Sequence, residues 1–205
     1  MTGLGRHARD TLAWAREVVR LRLIMRIMKK IWQIVSLGAL AAVFVGCTPA
    51  LNWREVRFED GIVTALMPCK PDAGQRDVTL KSGDRSGVAS LQMRGCEASD
   101  FQFTLGQMTL PADMTPIEAM AAWRLASLAP LNVSPAEASA QPWVLRGADA
   151  MPTPLKTQVM TPSHRVQWVW FARDGKVYQA GVYGQAQASK LDAVAEEYFA
   201  GIKLP

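Results

Sequence analysis

The chain has 205 residues, 49% of them apolar and 20% charged, with a formal net charge of +5 and a pI near 9.3. That length allows one core-bearing domain of about 150 residues plus a leader and excludes a multi-domain enzyme, while the apolar content excludes a disordered chain. The charge is uneven: residues 1–46 carry eight Lys/Arg against two acids, a net of +6, and residues 47–205 carry fifteen against sixteen, a net of −1. The basic balance therefore belongs to the leader, and no nucleic-acid surface follows from it.

Residues 1–27 read either as an extended cationic start or as a non-native upstream extension, with translation beginning at Met28 or Met25. Met28-Lys29-Lys30, the largely apolar run Ile31–Val45 and the small residue Gly46 then follow the order of an export signal. The run is short for a permanent span, which needs about 20 residues. Phe44-Val45-Gly46-Cys47 resembles the lipobox of bacterial lipoproteins, although the commonest form has Leu in place of Phe44 and Ala or Ser in place of Val45. The resemblance implies cleavage between Gly46 and Cys47. It also implies a diacylglyceryl thioether on Cys47 and a fatty acyl group such as palmitate on its amine. Several acyl chains, at about 0.8 kcal/mol per buried methylene, give essentially permanent anchoring. The other reading is an uncleaved signal anchor with Cys47 as an ordinary thiol. Thr48, second in the mature chain, resembles the outer-membrane sorting class. The expected organisation is a signal peptide over 28–46, a lipidated tether over 47–52 and one globular domain over 53–205.

Within that domain, short alternating runs bounded by turn residues predict strands at Trp53–Phe58, Ile62–Met67, Asp77–Leu80, Val88–Arg94, Phe101–Thr109, Trp143–Arg146, Leu155–Met160, Val166–Ala172 and Val177–Tyr183. Asp174-Gly175 between the last two supplies the positive φ values of a type I′ hairpin turn. Thr115-Pro116-Ile117-Glu118 has the composition of a capping box with Pro at the first helical position. The helix it opens is expected to bury Ile117, Ala121, Leu125 and Leu128, and Pro130 ends it. A second helix, capped by Ser189, carries Leu191, Val194, Ala195, Tyr198, Phe199 and Ile202 as a core-facing stripe. Pro130–Gln141 reads as a long loop. The predicted class is α+β: an antiparallel β-sheet with two packed helices behind a cleavable signal segment.

The order of elements resembles the PsbP-like α/β/α sandwich, a group that includes small bacterial lipoproteins of the DcrB type. The likeness rests on Met67-Pro68-Cys69-Lys70-Pro71 at a strand end, the mid-chain helix, the run Lys176–Gly184 and the terminal helix. Cys69 stands where the group usually has Gly. The resemblance implies an assembly, stabilising or binding role and supplies no shared catalytic residues.

Chemistry-bearing residues are few. Cys69 and Cys96 form an even pair at predicted strand ends, which reads as a disulfide in an oxidising compartment; a redox or metal pair is the alternative. His164 is the one histidine after the leader, beside Ser163 in a predicted turn, so a histidine-rich zinc site is excluded. There is no Walker loop, dinucleotide fingerprint, HExxH or Gly-x-Ser-x-Gly elbow. The exported methionines are dispersed, as core packing requires, and no metal or cofactor is expected. Trp168 and Trp170 share a strand face and either fill the core or line an apolar groove. Trp123 falls between two faces of its helix and is expected to mark a contact surface. The expected function is a non-enzymatic, lipid-anchored periplasmic accessory or binding protein, on the outer membrane and acting through an envelope protein partner. The alternative is a carrier of an apolar ligand or lipid near Trp168 and Trp170.

Overall fold

The computed structural model describes residues 51–205. The leader, the Gly46–Cys47 position and the tether as far as Ala50 lie outside the described residues. A hairpin of β1 (Arg54–Arg57) and β2 (Thr64–Met67) comes first. β3 (Asp72–Ser82), β4 (Arg85–Ala98) and β5 (Phe101–Thr109) then form a meander, followed by helix α1 (Pro116–Leu128). β6 (Ser139–Pro142), β7 (Leu155–Met160), β8 (His164–Arg173), β9 (Lys176–Gln185) and helix α2 (Leu191–Ala200) complete the domain. Seven strands make one antiparallel sheet in the order β3-β4-β5-β9-β8-β7-β6, so the class is α+β as the pattern predicts.

Both faces of the central strands are covered, which explains why the run Val166–Ala172 of β8 is apolar at every position but Gln167 and buried throughout. Phe103, Leu105, Val169, Phe171, Ala180 and Val182 meet α2 and the β1–β2 hairpin on one face. Leu91, Met108, Val166, Trp168, Trp170 and Val177 meet α1 on the other. The β8–β9 hairpin closes through Asp174 (φ 50°) and Gly175 (φ 71°), with Arg173 paired to Lys176. The two sheet edges are unequal: β3 has eleven residues and β6 only four, ending in Pro142.

Several expectations need correction. β3 and β4 are longer than their apolar alternation indicates, because the added residues are mostly polar and exposed while the backbone pairing runs on past the apolar stretch. Trp143–Arg146 is not a strand; the ladder ends at Pro142. Trp143 instead packs its ring against Phe171 and Phe199, at 6.2 and 6.4 Å between centroids, so its apolar character serves the core from a loop. The Thr115 capping box is present: Thr115 Oγ1 accepts from the Glu118 amide, and Glu118 accepts from the Thr115 amide. The helix is, however, rotated from the expected face. Ala119, Met120, Trp123 and Leu128 are buried, whereas Ile117 and Leu125 are 49% and 54% exposed. Burying one indole removes more apolar area from water than burying one branched aliphatic chain. The residue at the N-cap of α2 is Lys190, and no side chain caps it, so Ser189 does not take that role. The expected stripe on α2 does face the core, with Val194 only partly buried.

Candidate functional site

The three tryptophans singled out as a contact surface lie in the core: Trp123, Trp168 and Trp170 are 6%, 1% and 1% exposed. Trp123 meets Trp170 edge-on at 5.6 Å between centroids, and Trp170 lies 6.0 Å from Trp168. The Trp168 Nε1–H donates to Tyr183 Oη at 2.8 Å, and burial raises the Tyr183 pKa. Two glycines make room for these rings. A Cβ on Gly106 would stand 2.9 Å from Trp123 Cη2, and one on Gly181 would stand 2.7 Å from Trp168 Cδ1. The space between α1 and the sheet is filled by this stack, so of the two readings of Trp168 and Trp170 the core is the one found, while the expected exposed indole of Trp123 is corrected to a buried one.

With Trp123 turned inward, the outer side of α1 carries Ile117, Ala121 and Leu125, one helical turn apart and all exposed. The two charges on this helix do not interrupt the row. Glu118 is drawn aside by Thr115 and an ion pair with Arg85, and Arg124 is half-buried, with its pKa lowered by desolvation. The signal for this row was present in the sequence, since all three of its residues belong to the stripe assigned to the core.

Cys69 and Cys96 are joined, with Cα atoms 5.9 Å apart, and tie the end of the β1–β2 hairpin to β4. His164 is exposed, its Nδ1 2.8 Å from Ser163 Oγ. Among the described residues no group of three or more His, Cys, Asp or Glu could hold a metal ion.

A polar cluster that the sequence reading missed centres on Asp60, in the β1–β2 connection. Its carboxylate accepts from Lys176 Nζ and Gln107 Nε2, each at 2.6 Å, and from the Ile62 amide at 3.1 Å. Burial pushes its pKa up, but the Lys176, Ile62 and Gln107 hydrogen bonds and the Lys176 charge outweigh that and hold it below the usual carboxylate value. These bonds fasten the hairpin to β5 and β9.

One open groove of about 790 Å³ lies between the 143–147 segment and the end of α2. Trp143, Leu145, Phe199, Ile202 and Leu204 give it an apolar lining, with Arg146 and Lys203 at its margin. Its Glu196 is engaged by Lys156, a buried lysine whose ammonium also lies 5.9 Å above the Phe199 ring. The volume falls within the range of small-molecule sites. Comparison with protein-family models and with curated proteins finds no match for this chain.

Proposed function

We propose that this is a lipid-anchored, non-enzymatic accessory protein of the bacterial envelope, acting through protein contacts on the periplasmic side of the outer membrane. The observation that carries the proposal is a spacing: the lipobox-like Phe44-Val45-Gly46-Cys47 stands only four positions before Leu51, where the described domain begins. Cleavage at Cys47 would thus deliver an intact domain on a very short leash. A sheet flanked by helices on both faces, closing on a terminal amphipathic helix, supports the likeness to PsbP-like lipoproteins. The Ile117–Ala121–Leu125 row replaces Trp123 as the contact surface of this reading.

The anchor is tested by Cys47→Ser in the native host. The expected result is an uncleaved chain without acyl label; a protein still cleaved, labelled and membrane-bound would end the proposal. A second reading, a carrier of an apolar ligand, is favoured by the groove beside Trp143 and Phe199. Titration with a fluorescent fatty acid tests it: saturable binding that Leu145→Asp weakens supports the carrier, and no saturable binding removes it.

A further inference from the structure

We infer that one end of the sheet, the end formed by the β4–β5 turn, the β7–β8 turn and the β9–α2 connection, is the surface that rests on the lipid bilayer. The inference depends on the lipid anchor at Cys47 proposed above and adds to it the orientation of the whole domain.

Strand register defines the two ends. Ala98 pairs with Phe101, His164 with Gln185 and Met160 with Arg165, so residues 99–100, 161–163 and 186–190 all gather at one end. Ser82 pairs with Arg85 and Arg173 with Lys176, so those turns lie at the other end. The 147–149 segment joins them there, with the Asp149 amide donating to the Ala172 carbonyl and Arg173 to the Gly147 carbonyl.

Leu51 enters the domain at the first of these ends. It lines a depression of about 560 Å³ together with Asp100, Phe101, Gln185, Ala188 and Lys190. The Asn52 amide donates to the Pro68 carbonyl at 2.7 Å, which fixes the chain as it arrives. Four residues from Cys47 to Leu51 span at most about 14 Å. The ten residues of β9 cover about 33 Å from one end of the sheet to the other. A tether less than half as long as the sheet cannot let the domain turn its opposite end to the membrane. The end that holds Leu51 therefore meets the headgroups, and the N-terminus of α1, next to Arg85, points away from them.

The charges at the lipid-facing end are mixed: Arg54, Lys70, Arg165 and Lys190 against Asp72, Glu97, Asp100 and Asp192, with Arg165 and Asp192 paired. Contact is therefore set by the tether and not by anionic lipid.

Two exposed methionines report on the orientation. Met160 is 69% exposed at the anchored end, and Met151 is 65% exposed two residues beyond Asp149, near the opposite end. The acylated protein is reconstituted into phosphatidylcholine vesicles, with and without phosphatidylglycerol, and oxidised briefly from outside by hydroxyl radicals. Peptide mass spectrometry reads both sulfoxides and the acyl mass on Cys47. The expected result is a severalfold slower oxidation of Met160 than in detergent-free, leaderless Cys47→Ser protein, the same in both vesicle types, with Met151 unchanged. Protection of Met151, of both methionines or of neither overturns the orientation, as does protection of Met160 in cells but not on vesicles, which would mean that a protein covers that end. Absence of the acyl mass on Cys47 overturns the anchor and the orientation together, whereas an acylated protein with the wrong protection pattern overturns the orientation alone.

Discussion

Asp60 shows how one side chain can join segments that are remote in sequence: its Lys176 partner is 116 positions away. Because its folded pKa is depressed, its contribution is present above the pKa of an unfolded aspartate, about 3.9, and is lost as pH falls through the folded value. Asp60→Asn should therefore lower Tm at neutral pH, and the gap to the wild type should close on acidification. Melting curves between pH 7 and pH 2, taken by circular dichroism, check this; a gap independent of pH would refute the linkage. No local pattern marks such a residue, since Asp60-Gly61 reads only as a turn. Trp123 is the complementary case. Trp123→Ala would empty the space between Gly106 and Trp170 at a cost of about 3–5 kcal/mol, to be measured by urea unfolding.

At the scale of elements, the clearest sequence signals were those in which local chemistry admits one geometry. The Asp174-Gly175 turn and the Thr115–Glu118 capping box stand where the sequence places them. The rotation of α1 was not legible, because the helix is apolar on almost every side and a periodic pattern then selects no face. Trp143–Arg146 misled for a related reason: alternation signals burial, and a loop can bury alternate residues as a strand does. Two predictions belong here. Ile117→Asp with Leu125→Asp should leave Tm within a few degrees of the wild type, because both side chains are half-exposed, while abolishing co-purification of the envelope partner that the proposed accessory role requires. Retention of the partner would remove α1 as the contact surface. Replacing Cys69 and Cys96 with Ser frees a loop of 27 residues and should cost about 3.5 kcal/mol by the chain-entropy relation, read from the urea midpoint. The β1–β2 hairpin should loosen first in hydrogen exchange, since the bridge is one of its lateral fastenings, beside Asp60 and the backbone bonds of Thr64 and Leu66 to Lys203 and Gly201.

For the molecule as a whole, the class and most strands followed from alternation, whereas the layering did not. Which strand faces meet α1 and which meet α2 is settled by non-local pairing, above all β5 against β9, which lie about seventy positions apart in a sheet that a linear pattern cannot assemble. The disposition of the candidate surfaces followed only from that topology. Neither the groove between Trp143 and Leu204 nor the end at which Leu51 enters has a motif of its own.

The open sheet has a consequence that matters most for the lipid-anchored form proposed above. Eleven residues of β3 present a run of backbone groups with no neighbouring strand among the described residues, the template by which copies of a chain add to one another. On that reading, confinement to a bilayer would keep such copies at high local density and would hold them all with the same end down. Their edges would meet side by side far more often than in bulk solution. Arg76, Asp77 and Lys81, spaced along the strand, act against that encounter by making it costly to desolvate the edge. Replacing the three with Thr should leave the isolated domain folded, yet cause the anchored form to cluster on vesicles. Fluorescence self-quenching of the labelled protein would report clustering, and an unchanged signal would mean that some other feature keeps neighbouring copies apart.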